Sequence, residues 1–139
     1  MRQPRALSAC ILAVGVWFLV SCATNAPTQP PPPVPECSGP VTVFVTGDSI
    51  PTFSWEPTCK LGRLLVKEIA EERWGTETLG FNDWVPPIQY GVHPPGSENV
   101  EPGAPLYTGT TYTVEVYRWV DPTDLDTGFE LIGSQDFTY

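Results

Sequence analysis

The 139-residue chain carries sixteen acidic and seven basic side chains, a formal net charge of −9. Phosphate backbones require basic patches, so nucleic acid is excluded as the expected partner. The length leaves room for one domain with appendages.

The N-terminus reads as an export segment. Arg2 and Arg5 supply positive charge, and Ala6 to Val20 then runs fifteen residues without a charge. A stable membrane-crossing helix needs about 20 residues, so the run is short for a span and suits the apolar region of a secretory signal. Leu19-Val20-Ser21-Cys22 resembles a bacterial lipobox. The resemblance implies cleavage before Cys22 and diacylglycerol on its sulfur. Each buried acyl methylene contributes roughly 0.8 kcal/mol, and two chains hold where one does not. Ala23 follows in place of aspartate. In a cell with two membranes this resembles lipoproteins sent to the outer one.

With residues 1–21 removed, sixteen acids and five bases remain, a net charge of −11. Of the four cysteines, Cys10 leaves with the signal and Cys22 carries lipid. Cys37 and Cys59 are left as an even pair, expected to form a disulfide in an oxidising compartment. A two-cysteine metal site is the alternative, but the chain's single histidine, His93, complements it poorly.

Ala23 to Pro35 reads ATNAPTQPPPPVP. Proline this dense favours an extended polyproline II spacer, and thirteen residues at about 3.1 Å each reach roughly 40 Å. A ligand for a proline-recognising groove is the rival reading. The expected division is a signal over 1–21, an anchored linker over 22–39 and a domain over 40–139.

Beyond Pro40 the apolar residues alternate, the period of a half-buried strand. Val41, Val43 and Val45 open the pattern, and Pro51 to Trp55 follows a Gly47-Asp48 turn. Leu64 with Val66, then Ile88, Tyr90 and Val92, then Tyr112, Val114 and Val116 continue it, and Phe129 to Tyr139 closes it. Leu64 to Trp74 is also rich in helix formers. A strand ending near Ile69, followed by an irregular polar stretch, is preferred there to a short helix, because a lone helix of that length is marginal. If Cys37 and Cys59 close a hairpin, its midpoint falls on Asp48, within the turn-forming Thr46-Gly47-Asp48-Ser49.

Two patches resemble a fibronectin type III domain. Phe53-Ser54-Trp55-Glu56-Pro57 is similar to that family's second-strand pattern, and Pro105 to Tyr117 resembles its sixth. The resemblance implies an antiparallel all-β sandwich of about seven strands, with Trp55 and Leu106 in the core. It also implies a tyrosine corner, in which the Tyr112 ring packs inside and its hydroxyl reaches backbone near Leu106. Small immunoglobulin-like sandwiches are the close alternative.

Few residues announce chemistry. His93 needs a nucleophile and an orienting partner to act as a base, and nearby Ser97 lies in no nucleophile motif. Asp124-x-Asp126-x-Gly128 is a fragment of a calcium-loop spacing without its downstream glutamate, so an acidic hairpin turn is preferred. Trp74, Trp84 and Trp119 are the candidate ligand contacts if exposed, and core if buried. Trp119 is out of step with Tyr112, Val114 and Val116, so it is expected on the opposite sheet face. The expectation is a non-enzymatic, membrane-anchored envelope module for protein–protein interaction or structural display, with carbohydrate binding by exposed aromatics as the alternative. No cofactor or metal is expected.

Overall fold

A computed structural model describes residues 30–121 and 123–139. The expected signal segment, Cys22 and the expected spacer up to residue 29 lie outside the described residues. Folding reaches further upstream than Pro40. The compact unit runs Pro32–Tyr139. Lys60 N–H donates to Pro35 O at 2.8 Å, Cys37 N–H donates to Lys60 O at 2.9 Å, and Cys37 is buried.

The chain folds as an all-β sandwich of two antiparallel sheets. The smaller contains β1 (Thr42–Thr46), β2 (Thr52–Glu56) and β5 (Ile88–Gln89), in the order β1-β2-β5. The larger contains β3 (Arg63–Glu68), β4 (Glu71–Glu77), β6 (Glu98–Glu101), β7 (Thr111–Trp119) and β8 (Phe129–Thr138), in the order β6-β4-β3-β7-β8. The side-chain period of two builds the core directly. Phe53 and Trp55 of β2, Leu64 and Val66 of β3, and Tyr112, Val114 and Val116 of β7 are all sealed from water in one cluster. Tyr112 Oη accepts the Tyr107 N–H at 2.9 Å, one residue past Leu106, and Leu106 packs partly buried against the core.

The sheets are also joined along one side. Val41 N–H donates to Ile132 O at 2.8 Å, so β8 meets the start of β1. A Cβ on Gly133 would lie 2.7 Å from Val41 O, closer than real Cβ atoms come, and the junction therefore requires glycine. The opposite side is closed by Tyr90, whose hydroxyl lies 2.6 Å from Ala104 O and 3.2 Å from Arg73 O. Burial, with Tyr112 near, pushes the Tyr90 phenol up to about 12 despite the opposing Arg73 guanidinium.

Three local expectations are corrected. The polar stretch after Ile69 is not irregular, nor is any part of Leu64 to Trp74 helical. It is strand β4, which buries Trp74 and Thr76 and pairs with β3 through a two-residue turn at Ile69-Ala70. Packing of that buried face outweighs the helix propensity of its glutamates. The first hairpin is centred on Ser49 rather than Asp48, with Thr46 opposite Thr52. The cysteines lie beyond its ladder, where Glu36 and Lys60 pair in parallel, so their spacing misplaced the turn by one residue. The alternation through Val92 ends early, because Gly91 takes φ 74° and Val92 N–H turns back to Gln89 O. β6 is a short polar edge strand that no alternation announces.

Cys37 and Cys59 are bonded and both buried. The bond tethers the chain entry to the segment leaving β2. With 22 residues separating its ends, the loop-entropy estimate gives about 3 kcal/mol of stabilisation. Replacing both cysteines by alanine should therefore lower the unfolding free energy by at least about 3 kcal/mol in urea titration, with the packing loss added.

Ile69 carries φ 58° at the tip of the β3–β4 turn, with its side chain almost fully exposed. A β-branched residue is strained there, and no buried contact compensates it. Ile69→Gly should raise stability by about 1 kcal/mol. An unchanged or lower denaturation midpoint contradicts that reading of the turn.

Candidate functional site

Trp74, Trp84 and Trp119 were the foremost contact candidates, and the fold places all three inside. Trp74 is fully buried, lying 6.2 Å from Phe53 and 5.3 Å from Tyr90, ring centre to centre. Trp84 is 4% exposed and Trp119 7%. A flat sugar-stacking row built from these rings does not form.

Trp119 does leave the side of β7 that carries Val114 and Val116, yet a loop covers it. Its indole N–H reaches Thr78 O at 3.1 Å, and its ring lies 4.0 Å from that of Phe129. Asn82 holds the same residue by its backbone, Oδ1 accepting Trp119 N–H at 2.8 Å and Nδ2 facing Trp119 O at 3.4 Å. Asn82 Nδ2 also donates to Glu36 Oε2 at 3.1 Å. Gly62 lies beneath, where a Cβ would come within 2.7 Å of the Trp119 ring. This loop closure spans residues 78–82, 119 and 36, and strand periodicity carries no signal for it.

A charged cluster covers the outer face of the larger sheet beside Trp119. Arg63 lies over the rings of Tyr117 and Phe129 at 5.7 and 5.3 Å and pairs with Glu77 at 3.3 Å and Glu72 at 3.5 Å. Lys67 Nζ sits 2.6 Å from Glu115 Oε2, and the Tyr117 hydroxyl donates to the same oxygen. Burial alone raises the Glu115 pKa. Hydrogen bonds from Lys67 and Tyr117 outweigh it and hold the carboxyl below its usual range. Glu115, Lys67 and Tyr117 satisfy one another, whereas Arg63 Nε is buried within ion-pair distance of Glu77 without a well-aligned hydrogen bond, and the arrangement presents no nucleophile.

The other sequence candidates are spent locally. The Ser97 hydroxyl accepts from Thr76 Oγ1 at 3.0 Å and donates to Pro94 O at 2.5 Å. His93 is exposed and tilts against Trp74 at 5.9 Å. Asp121 Oδ1 accepts from Thr123 N–H at 2.8 Å, and Asp124 Oδ1 accepts from Asp126 N–H at 3.1 Å. These carboxylates shape the turn around the short 3-10 segment Leu125–Thr127.

A groove of about 490 Å³ runs along β5. Its wall is mainly apolar and includes Trp84, Val85, Ile88 and Val92 together with Pro87, Pro94 and Pro95. Val85 and Val92 are exposed. Asp83 stands in the lining and pairs with Lys60 at 2.8 Å. The indole N–H of Trp84 is buried without a hydrogen-bond partner. Sequence reasoning nominated Trp84 but not the valines and prolines that form the groove, because the chain reversal at Gly91 brings those stretches together.

Comparison with protein-family models, curated proteins and solved structures finds no match to this chain. The Cys37–Cys59 disulfide indicates an oxidising, extracytoplasmic environment for the folded unit.

Trp119→Ala should act on folding, lowering stability by about 3 kcal/mol in chemical denaturation. Glu115→Gln should cost about 1 kcal/mol at neutral pH. Because the folded-state pKa of Glu115 is depressed, its contribution is present above about pH 4.5 and lost as pH falls below that value. The variant should therefore show a shallower acid limb in a stability–pH profile.

Proposed function

We propose that the chain is a lipid-anchored, extracytoplasmic module that displays a non-catalytic, fibronectin type III-like β-sandwich for contact with another protein at the cell envelope. One observation chiefly carries the contact reading. The groove along β5 is open and apolar, whereas the conspicuous aromatic and acidic candidates are consumed by packing and turns. Grooves of a few hundred Å³ with apolar walls and few polar groups are where ligands commonly seat.

The anchoring part rests on the Leu19-Val20-Ser21-Cys22 motif behind an apolar run, and on a structural disulfide that suits export. Acyl chains on Cys22 tether the module, and the proline-rich segment spaces it from the bilayer. The net charge of −11 after signal removal keeps tethered copies dispersed. In a two-membrane cell, Ala23 favours the outer membrane.

Intact-mass measurement on the membrane fraction, without reductant, tests the anchoring. The expected species begins at Cys22, carries diacylglycerol and lacks two hydrogens for the Cys37–Cys59 bond. Soluble, unmodified full-length chain overturns the anchored reading.

A further inference from the structure

We propose that the chain entry is a mechanical clamp: traction on the segment upstream of Cys37 passes into β3 and β7 of the larger sheet and bypasses the β1–β2 hairpin. The clamp has its use on a chain held from its N-terminal side, as the anchored reading above supplies, but it is built whether or not Cys22 is acylated.

The hairpin is the weak point that the clamp protects. β1 and β2 form an antiparallel ladder whose open end sets Thr42 opposite Glu56. A chain pulled upstream of β1 and held downstream of β2 is pulled apart at that one end, so the rungs would break in turn. Cys37 and Cys59 are covalently joined just outside it. Tension therefore crosses from residue 37 to residue 59 without entering the ladder.

The entry itself is paired in the opposite sense. Glu36 and Lys60 face each other in parallel, with Lys60 N–H donating to Pro35 O at 2.8 Å and Cys37 N–H donating to Lys60 O at 2.9 Å. Traction acts at the start of this pair and is resisted from its far end, where the chain continues into β3 at Arg63. Both bonds are then loaded together. Two side chains add ties to the end of β7. Asn82 Nδ2 donates to Glu36 Oε2 at 3.1 Å while its Oδ1 accepts Trp119 N–H at 2.8 Å, and Arg118 Nη1 reaches Cys37 O at 3.5 Å. β3 and β7 are interior strands of the larger sheet, whereas β1, which follows the entry in sequence, is an edge of the smaller one. The upstream chain is thus rooted in the strands hardest to extract.

The test is forced unfolding of the full chain in optical tweezers, with ligation tags at its two ends. The wild type should open in one step. Its contour gain should omit the 22 residues that separate the cysteines, roughly 75 Å at about 3.5 Å per residue. Cys37→Ala/Cys59→Ala should open in two steps. The first, at lower force, peels the entry, β1 and its turn, about 20 residues or roughly 70 Å of contour. Val114→Ala leaves the entry intact and loses stability in the sealed core, so it should unfold at lower force without the early step. Direction of pull supplies a second measurement that keeps the disulfide. With the N-terminal handle moved to an azide-bearing side chain at Asp48, on the exposed turn, traction enters the hairpin directly and an early step should appear. The clamp is overturned if the wild type shows an early step when pulled from its ends, if Val114→Ala shows it too, if the double variant opens in one step at the wild-type force, or if the two handle positions give the same trace. None of these outcomes bears on acylation at Cys22, which intact mass decides separately.

Discussion

The fold depends on burial of one face of β2 against one face of β7. Phe53 and Trp55 come from the smaller sheet, and Tyr112, Val114 and Val116 from the larger, all within the same sealed cluster. Aromatic packing continues outward, with Phe137 at 5.8 Å from Phe53 and 5.7 Å from Tyr112. A unit of about a hundred residues has little surplus stability, so this core needs help at its margins. That help comes from the disulfide at the chain entry, the Tyr112–Tyr107 hydrogen bond, and the β1–β8 junction at Gly133.

A second layer of packing lies on the outer face of the larger sheet. Trp119 points away from the main core, and its ring would be wet if the chain between β4 and β5 took a direct path. Instead residues 78–82 fold over it, Thr78 taking the indole proton and Asn82 the backbone of residue 119. The same asparagine binds Glu36, so one buried amide joins the loop, the end of β7 and the segment that leads into β1. Buried polar groups of this kind are tolerated because each finds a partner. Arg63 extends the layer, its guanidinium lying over two rings while its charge is met by Glu72 and Glu77.

Much of the architecture was legible in the period-two runs, since Val43, Trp55, Leu64, Val66, Val114 and Val116 face inward as alternation requires. The direction of Trp119 was legible for the same reason, but its burial was not. Burial there depends on a loop held by an asparagine 37 residues away in sequence, and periodicity says nothing about contacts at that distance. β4 was hidden by its composition, because three glutamates and an arginine mask the inward pair Trp74 and Thr76. Of the groove, only Trp84 was visible in advance. Its other walls come from two short stretches whose meeting depends on a reversal at a single glycine.

The prolines around β5 serve two physical roles that reinforce each other. A two-residue edge strand is the weakest flank of a sandwich and an open template for pairing with another chain. Pro87 withdraws a donor from that flank, and the turn at Gln89 withdraws an acceptor. The change that guards against strand addition also converts the flank into an apolar trough. A strand that docks there finds too few free donors and acceptors for a ladder. The flank is thus guarded by backbone geometry, with no charged side chain placed on the strand itself.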